Sequence, residues 1–306
     1  MDWHGTAMKP LAGGYSGETF LAQTGGDRAV VRIYRRNPQR AAIDASLLRL
    51  VRGILPVPDV LEVRSATSDM PAVLVTEHLH GVPLDHVLRA DPSGLGWETL
   101  GYNLGWVLGS LSSIPFLRFG MFADADLTVT TDGMPIDLAA WAQTFRDTGR
   151  LSAWAEQDWL KLLALIDIAE GVVDDGQNDA RVVLAHSDFN PKNILVDPTD
   201  CGIIGLLDWE FAHAGSIHTD IGNFTRFERD DRLVDPMIEG FVDWAPGRIR
   251  GPVEHGRAMD LWALVELAGG APSNVVRELA AQLLLAQVRE QDLQAWPWDA
   301  PRVDPV

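Results

Sequence analysis

The spacing of apolar residues changes once along this chain of 306 residues, close to residue 80. Before that point, Ala29–Tyr34, Val60–Arg64 and Ala72–Thr76 are short runs rich in apolar and β-branched residues, which predicts strands. Arg40–Arg52 differs, because its apolar residues recur every three or four positions and predict a helix. After Gly81 the helical spacing dominates. A small sheet-rich lobe followed by a larger helical lobe is therefore expected.

The second part of the chain is predicted to be helical with a short β insert. Helical spacing occurs in Asp85–Arg89, Trp97–Ser112, Leu138–Asp147, Ala155–Val173, Met259–Leu267 and Val275–Gln291. Strand-like runs interrupt it at Arg181–Ala185, Ile194–Val196 and Ile203–Leu207. Phe119–Pro135, with Gly, Pro and Asp spread through it, is predicted to be a long loop. The predicted fold class is α+β, with a first domain of residues 1–78 and a second of residues 79–306.

Charge and cysteine content narrow the functional classes. The formal net charge of −18 argues against nucleic acid and anionic membranes as partners, because both require basic surfaces. One cysteine excludes an internal disulfide framework and a cysteine-based metal cluster. Met1–Pro10 has no basic start followed by an apolar stretch, and no apolar run is long enough to span a bilayer. A cytoplasmic protein with no obligate protein partner is expected.

The chemistry is predicted to lie in the segment His186–Leu195, which follows one predicted strand and runs into the next. Asp188 and Asn193 are separated by a turn that contains proline, and Asp208 follows the strand after that. A β-turn-β arrangement would place Asp208 beside Asn193, and their hard oxygen atoms suit Mg²⁺. Asp188 then remains to orient or deprotonate an attacking hydroxyl. These groups are the parts needed for phosphoryl transfer.

The pattern His-x-Asp-x-x-x-x-Asn, followed by an apolar strand and Asp, resembles the catalytic and metal-binding loops of the protein-kinase-like fold. The form Asp208-Trp209-Glu210 resembles the aminoglycoside phosphotransferase family and its choline-kinase relatives, and so does the continuation through Asp220. The resemblance covers nearly the whole chain. It implies a bilobal fold, catalytic Asp188, Mg²⁺ held by Asn193 and Asp208, and Asp220 as an anchor of the catalytic loop.

The resemblance also places the nucleotide, either ATP or GTP, in the first lobe. Arg32 stands where protein kinases have lysine, and Asp44 stands where they have the partner glutamate, so an Arg32–Asp44 ion pair is expected. The chain between the predicted lobes is expected to contact the base through its backbone. The full set of expected nucleotide-binding residues is Gly14, Tyr15, Ser16, Gly17, Arg32, Asp44, Thr76, Glu77 and His78.

The acceptor is expected to be a small hydroxyl compound, because the segment after Asp208 is too short for the activation and peptide-docking segment of a protein kinase. Acidic residues suggest a cationic acceptor such as an aminoglycoside, which would make the protein a resistance enzyme; the residues are Glu210, Glu228, Asp230, Asp231 and Glu266. Three alternatives stay open: a kinase of an amino alcohol or sugar, a non-catalytic nucleotide-binding module, and a dinuclear metal-dependent hydrolase.

Overall fold

The computed structural model describes residues 7–11, 18–24, 26–90, 93–135, 137–176, 181–247, 249–271 and 274–303. These residues form two compact units, each built from several stretches of chain. The first unit takes the described residues up to Leu95 together with Arg118–Thr130 and Pro191–Ala214. The second unit takes Gly96–Leu117, Thr131–Asn190 and the described residues after Gly215. The domain boundary between residues 78 and 79 stays a prediction.

The described strands, in chain order, are β1 (Ala7–Pro10), β2 (Glu18–Thr24), β3 (Asp27–Tyr34), β4 (Val60–Arg64), β5 (Ala72–Glu77), β6 (Val82–Pro83), β7 (Gly120–Phe122), β8 (Val129–Thr130), β9 (Val183–Ala185), β10 (Ile194–Val196), β11 (Ile203–Leu206) and β12 (His213–Gly215). The described helices are α1 (Arg40–Val51), α2 (Leu84–Ala90), α3 (Trp97–Ser112), α4 (Leu138–Thr148), α5 (Glu156–Gly176), α6 (His218–Thr225), α7 (Asp231–Trp244), α8 (Pro252–Gly269) and α9 (Val275–Glu290). Most of the predicted elements therefore exist, with ends that differ by a few residues.

The first unit contains a five-stranded antiparallel sheet in the order β1-β2-β3-β5-β4. Ala22, Ala29, Val31 and Val75 are buried together in this sheet, because alternate residues of a strand face the same side. A second, smaller sheet in the same unit has the order β11-β10-β6. The predicted metal ligands Asn193 and Asp208 lie just before β10 and just after β11.

The prediction of a long loop over Phe119–Pro135 is wrong. β7 and β8 lie inside this segment and pair with each other, with Met121 opposite Thr130. β7 also pairs with β12 through Met121 opposite His213. These strands have only two or three residues, so apolar alternation has no length over which to appear.

The second unit is helical, and two close helix contacts determine its packing. At Gly105 of α3, a Cβ atom would lie only 2.2 Å from the carbonyl oxygen of Met237 in α7. At Gly222 of α6, a Cβ atom would lie 2.0 Å from the carbonyl oxygen of Gly256 in α8. Both backbones approach this closely only because glycine has no side chain. Helices α4, α5, α8 and α9 share the core, which includes Leu162, Leu165, Leu261, Leu264 and Leu284.

Helix α7 was absent from the sequence-based assignment, and α8 begins earlier than predicted. In α7, Leu233, Met237, Gly240 and Phe241 are buried on one face, but Pro236 interrupts the pattern that would have revealed it. Proline is also why α8 starts at Pro252, since the first helical position needs no backbone N–H. No helix among these described segments is both long and apolar enough to cross a membrane.

Candidate active site

The loop that contains Asp188 begins where β9 ends, and one carboxylate binds its first two backbone amides. Asp220, in the first turn of α6, accepts hydrogen bonds from the N–H groups of His186 (2.9 Å) and Ser187 (2.6 Å). Burial, with the nearby charge of Asp188, raises the pKa of Asp220 to about 7, although the two N–H groups act in the opposite direction. The prediction that Asp220 anchors this loop is confirmed.

Ser187 occupies the left-handed backbone region, with φ of 64°. This conformation costs a residue with a side chain about 1–2 kcal/mol and costs glycine much less. The hydrogen bond from the Ser187 N–H to Asp220 holds the turn with serine in place.

Asp188 lies half-buried in the second unit, and a neighbouring amide orients its carboxylate. The side-chain Nδ2 of Asn190 donates to Asp188 Oδ1 (2.6 Å) and to the Asp188 carbonyl oxygen (3.1 Å). Phe189, between them, is fully buried against Phe224, with ring centroids 5.8 Å apart. The loop is therefore anchored by a carboxylate at its start and by an aromatic side chain next to Asp188. The contribution of Asn190 was missed from the sequence.

Asn193 and Asp208 lie in the first unit at the paired ends of β10 and β11. Ile194 is opposite Leu206, and the Leu207 N–H donates to the Asn193 carbonyl oxygen (2.8 Å). Asn193 is therefore opposite Leu207, the residue before Asp208, so Asn193 and Asp208 lie at the same end of this hairpin. One carboxylate and one side-chain amide form an oxygen donor set that fits Mg²⁺ shared with nucleotide phosphates. Their role as metal ligands stays a prediction.

Arg32 of β3 contacts the carboxylates on the chain that follows β11. Its Nη1 lies 2.6 Å from Asp208 Oδ1 and its Nη2 lies 2.6 Å from Glu210 Oε2. Burial alone would lower the pKa of Arg32, but the charge of Asp208, with smaller contributions from Tyr34 and Glu210, outweighs it and raises the pKa. Glu210, which the sequence assigned to the acceptor, is thus an ion-pair partner of Arg32 in this structure.

The expected Arg32–Asp44 ion pair is wrong, because the structure gives Asp44 other partners. The buried Asp44 carboxylate accepts hydrogen bonds from Tyr34 Oη (2.6 Å) and Arg40 Nε (2.5 Å). Burial raises the pKa of Asp44 despite these partners. Arg40 also donates a hydrogen bond to the carbonyl oxygen of Trp209, which connects α1 to the chain after Asp208. Asp44 therefore helps to position Arg40 for this contact. A nucleotide contact of Asp44 stays a prediction.

The predicted hinge lies where β5 ends. Thr76 is buried in the sheet, and the Glu77 N–H donates to the Asp59 carbonyl oxygen (2.8 Å). His78 is the first residue beyond the strand, and its pKa is lowered mainly by burial and then by His80. Base contacts by these residues stay predictions. The expected nucleotide-binding residues Gly14, Tyr15, Ser16 and Gly17 lie outside the described residues.

The other acidic residues assigned to the acceptor lie in the second unit, and two of them are paired with arginine. Glu228 Oε1 accepts from the Asp230 N–H (2.8 Å), and its Oε2 lies 3.5 Å from Arg302. Asp230 caps α7 and forms an ion pair with Arg232 (2.6 Å). Asp231 is exposed in the first turn of α7, and Glu266 is exposed in α8.

The profile of the phosphotransferase enzyme family APH matches residues 7–252. The chain belongs to this family. Its enzyme class is that of a small-molecule phosphotransferase.

Solved structures of phosphotransferases share the fold of this family member. A protein of Ralstonia eutropha JMP134, provisionally assigned as an aminoglycoside phosphotransferase, has a TM-score of 0.66 and 16% identity over 95% of this chain and 93% of its own. The GDP complex of a variant of aminoglycoside 2′-phosphotransferase-IIIa has a TM-score of 0.62 and 15% identity over 94% and 86%. APH(4)-Ia with AMP-PNP and hygromycin B has a TM-score of 0.60 and 15% identity over 92% of each chain. The fold is therefore α+β and protein-kinase-like.

Among curated proteins, the human acyl-CoA dehydrogenase family member 11 is 34% identical over 92 residues. This match covers 30% of the present chain and 11% of the human protein. The chain thus spans about a tenth of the length of that relative.

Proposed function

We propose that this phosphotransferase transfers the γ-phosphoryl group of ATP or GTP to a hydroxyl of a small molecule, in the cytoplasm and with Mg²⁺. The observation that carries the proposal is the β10–β11 hairpin, because Asn193 directly precedes β10 and Asp208 follows β11 at the same end of the hairpin. Asp188, on its separately anchored loop, supplies the group that acts on the acceptor. Both parts are required for phosphoryl transfer.

Each side chain has a defined task in this reaction. Asp188 accepts the proton of the acceptor hydroxyl as the oxygen attacks the γ-phosphorus, while Asn190 keeps the carboxylate oriented. The bond between the γ-phosphorus and the bridging oxygen breaks, and the electron pair leaves with the nucleoside diphosphate. Asn193 and Asp208 would hold Mg²⁺, which would supply positive charge against that of the phosphates. Arg32 is a further cation beside Asp208.

An antibiotic and a metabolite are both candidate acceptors. An aminoglycoside is supported by the likeness to APH(4)-Ia, whose structure contains hygromycin B, and would imply antibiotic resistance. A small metabolite is supported by the ion pairs of Glu210 and Asp230, which leave fewer acidic groups for a polycation. The dinuclear hydrolase has less support, because His213 faces the Phe211 carbonyl oxygen and His218 packs against His255.

Calorimetry of ATP binding with and without Mg²⁺ tests the metal site. Wild-type protein should bind ATP more tightly with Mg²⁺, and Asp208→Ala should lose that gain. Asp69→Ala is the matched control, because Asp69 is an exposed carboxylate of the same unit. If Asp208→Ala binds Mg·ATP as tightly as wild type, the metal site is elsewhere.

A further inference from the structure

Several buried or half-buried arginines of the second unit lie between the end of α6 and the first half of α8. Arg226 follows α6 and forms a two-pronged ion pair with Asp260 of α8, with Nε 2.8 Å from Oδ2 and Nη2 2.5 Å from Oδ1. Both side chains are buried. Arg229 and Arg257 lie close enough to Asp260 for their charges to act on it. We name Arg226, Arg229, Arg257 and Asp260 the arginine cluster.

Asp260 is the single carboxylate of the arginine cluster, and both of its oxygens pair with Arg226. The positive charges of Arg229 and Arg257 are therefore only partly balanced within the cluster. Arg229 Nη1 donates to the Gln294 carbonyl oxygen (2.6 Å), and its guanidinium stacks on Trp296 at 4.3 Å. Arg257 forms no hydrogen bond or ion pair with any other residue that the structure describes. The Nε atoms of both arginines are buried and lack a hydrogen-bond partner within the same set of residues.

The charged forms of Arg229 and Arg257 are destabilised in this arrangement, as the direction of their pKa shifts indicates. Burial lowers the pKa of Arg257, and burial together with the charge of Arg257 lowers the pKa of Arg229 to about 9. Among the described residues, Asp292 is the other carboxylate that acts on both, and it is exposed and binds the Gln294 N–H. Two half-buried cations that share these two carboxylates with Arg226 favour the binding of an additional anion.

Helix α6 connects the arginine cluster to the loop of Asp188. Asp220 in its first turn binds that loop, and Arg226 follows its last turn. The helix has eight residues, so its two ends lie about 12 Å apart. The charge of Asp188 acts on Arg226, so these two side chains of the second unit lie near enough for their charges to interact. The close contact of Gly222 with Gly256 keeps α6 and α8 in this position.

We propose that Arg257, with Arg229 beside it, binds an anionic group of the acceptor, so that the acceptor is a hydroxy compound carrying a carboxylate or a phosphate. This inference rests on the proposed function for the role of acceptor, but not for the existence of an anion site. The planar guanidinium of Arg257 matches either anion through paired hydrogen bonds. A polycationic acceptor would be repelled by the same two side chains.

Binding of small anions, measured as thermal stabilisation, tests the site directly. D-glycerate, its neutral amide and inorganic phosphate are each compared with chloride at equal ionic strength. Saturating Mg·AMP-PNP is present so that the donor site is filled. Wild-type protein should be stabilised by at least one of the two anions and not by the amide. Glycerate alone indicates a carboxylate on the acceptor, phosphate alone a phosphate ester, and both a general anion site.

Three variants show whether Arg257 is responsible. Arg257→Gln should weaken anion binding at least about tenfold, because a charge-assisted hydrogen-bond pair is lost. Arg257→Lys should retain part of it, since the charge remains. Arg289→Gln is the matched control, because Arg289 is an exposed arginine of the same unit, and it should bind like wild type. The comparison of glycerate with its amide needs no variant, so it decides the case even if Arg257→Gln does not fold.

The proposal is overturned if neither anion exceeds chloride, if the amide stabilises as well as glycerate, or if Arg257→Gln binds anions like wild type. Anion binding that is seen in the absence of Mg·AMP-PNP but not in its presence would place the anion in the donor site. That result would also overturn the proposal. Failure of Mg·AMP-PNP to bind wild-type protein would contradict the proposed function instead. The anion site would then be judged on Arg257→Gln alone.

Discussion

Arg32 Nη1 lies 2.6 Å from Asp208 Oδ1, so the strand cation and the predicted metal ligand are direct partners. Both side chains are largely shielded from water, and the same guanidinium also contacts Glu210. The proposed binding of Mg²⁺ by Asp208 would compete with this ion pair.

A double-mutant cycle with Arg32→Gln and Asp208→Asn should give a coupling of about 0.5–3 kcal/mol in the free energy of unfolding, because the groups touch. The exposed pair Arg35–Glu18, at 3.3 Å, is the matched control and should give below about 1 kcal/mol. Urea unfolding measures both cycles. Saturating Mg·ATP should reduce the first coupling only. Equal couplings for the two pairs would show that the Arg32–Asp208 contact has no special weight.

Asn190→Ala should lower kcat about tenfold and leave nucleotide affinity unchanged, because the hydrogen bond that is lost is the one that orients the Asp188 carboxylate. Steady-state kinetics with Mg·ATP measure both quantities. Gln143→Ala is the control, since Gln143 makes a similar amide–carboxylate hydrogen bond to Asp147 far along the chain from this loop. An unchanged kcat for Asn190→Ala would remove Asn190 from the positioning residues.

The raised pKa of Asp220 predicts the pH dependence of stability. Its carboxyl binds a proton more tightly in the folded state, with a pKa of about 7, than in the unfolded chain, near 3.8. The folded state thus holds more protons between these values, and the contribution of Asp220 to stability falls as pH rises from about 4 to 7. Asp220→Asn should remove this slope, as measured by urea unfolding at several pH values. The same slope in both proteins would contradict the burial of a titrating Asp220.

Two glycine-to-alanine substitutions should change the free energy of unfolding in opposite directions. Gly105→Ala should destabilise the protein by about 1–3 kcal/mol, because the new methyl group would collide with the Met237 carbonyl. Gly171→Ala in α5 should stabilise it by about 0.5–1 kcal/mol, since a Cβ atom there meets nothing within 4 Å and alanine favours helix. Destabilisation of similar size at both sites would argue against the close α3–α7 contact.

Local patterns in the sequence predicted the parts of the site that depend on short stretches of chain. The two strands of the β10–β11 hairpin were predicted from strand spacing, and their pairing places Asn193 and Asp208 at the same end of the hairpin. The metal-binding role of these residues stays a prediction. The role of Asp220 as an anchor of the catalytic loop was predicted through the family resemblance. In the structure, the His186 N–H donates a hydrogen bond to the Asp220 carboxylate.

Partner choice among charged side chains was not predictable in this way. Arg32 and Asp44 were matched by analogy, yet Arg32 meets an acid 176 positions away and Asp44 meets Arg40, four positions away on the same helix. The pair Arg226–Asp260 likewise depends on how closely α6 and α8 pack. The choice of partner in these ion pairs is not encoded in residue type or in spacing along the chain.

The most direct test of the account is the transfer of a phosphoryl group from Mg·ATP or Mg·GTP to members of a panel of hydroxyl compounds. The panel should include neutral, acidic and polycationic acceptors, and phosphorylated products are identified by mass spectrometry. Wild-type protein should phosphorylate at least one class, and Asp188→Asn should do so about 10²–10⁴-fold more slowly with nucleotide affinity intact. No phosphorylated acceptor from wild type, or equal rates for Asp188→Asn, would contradict the account.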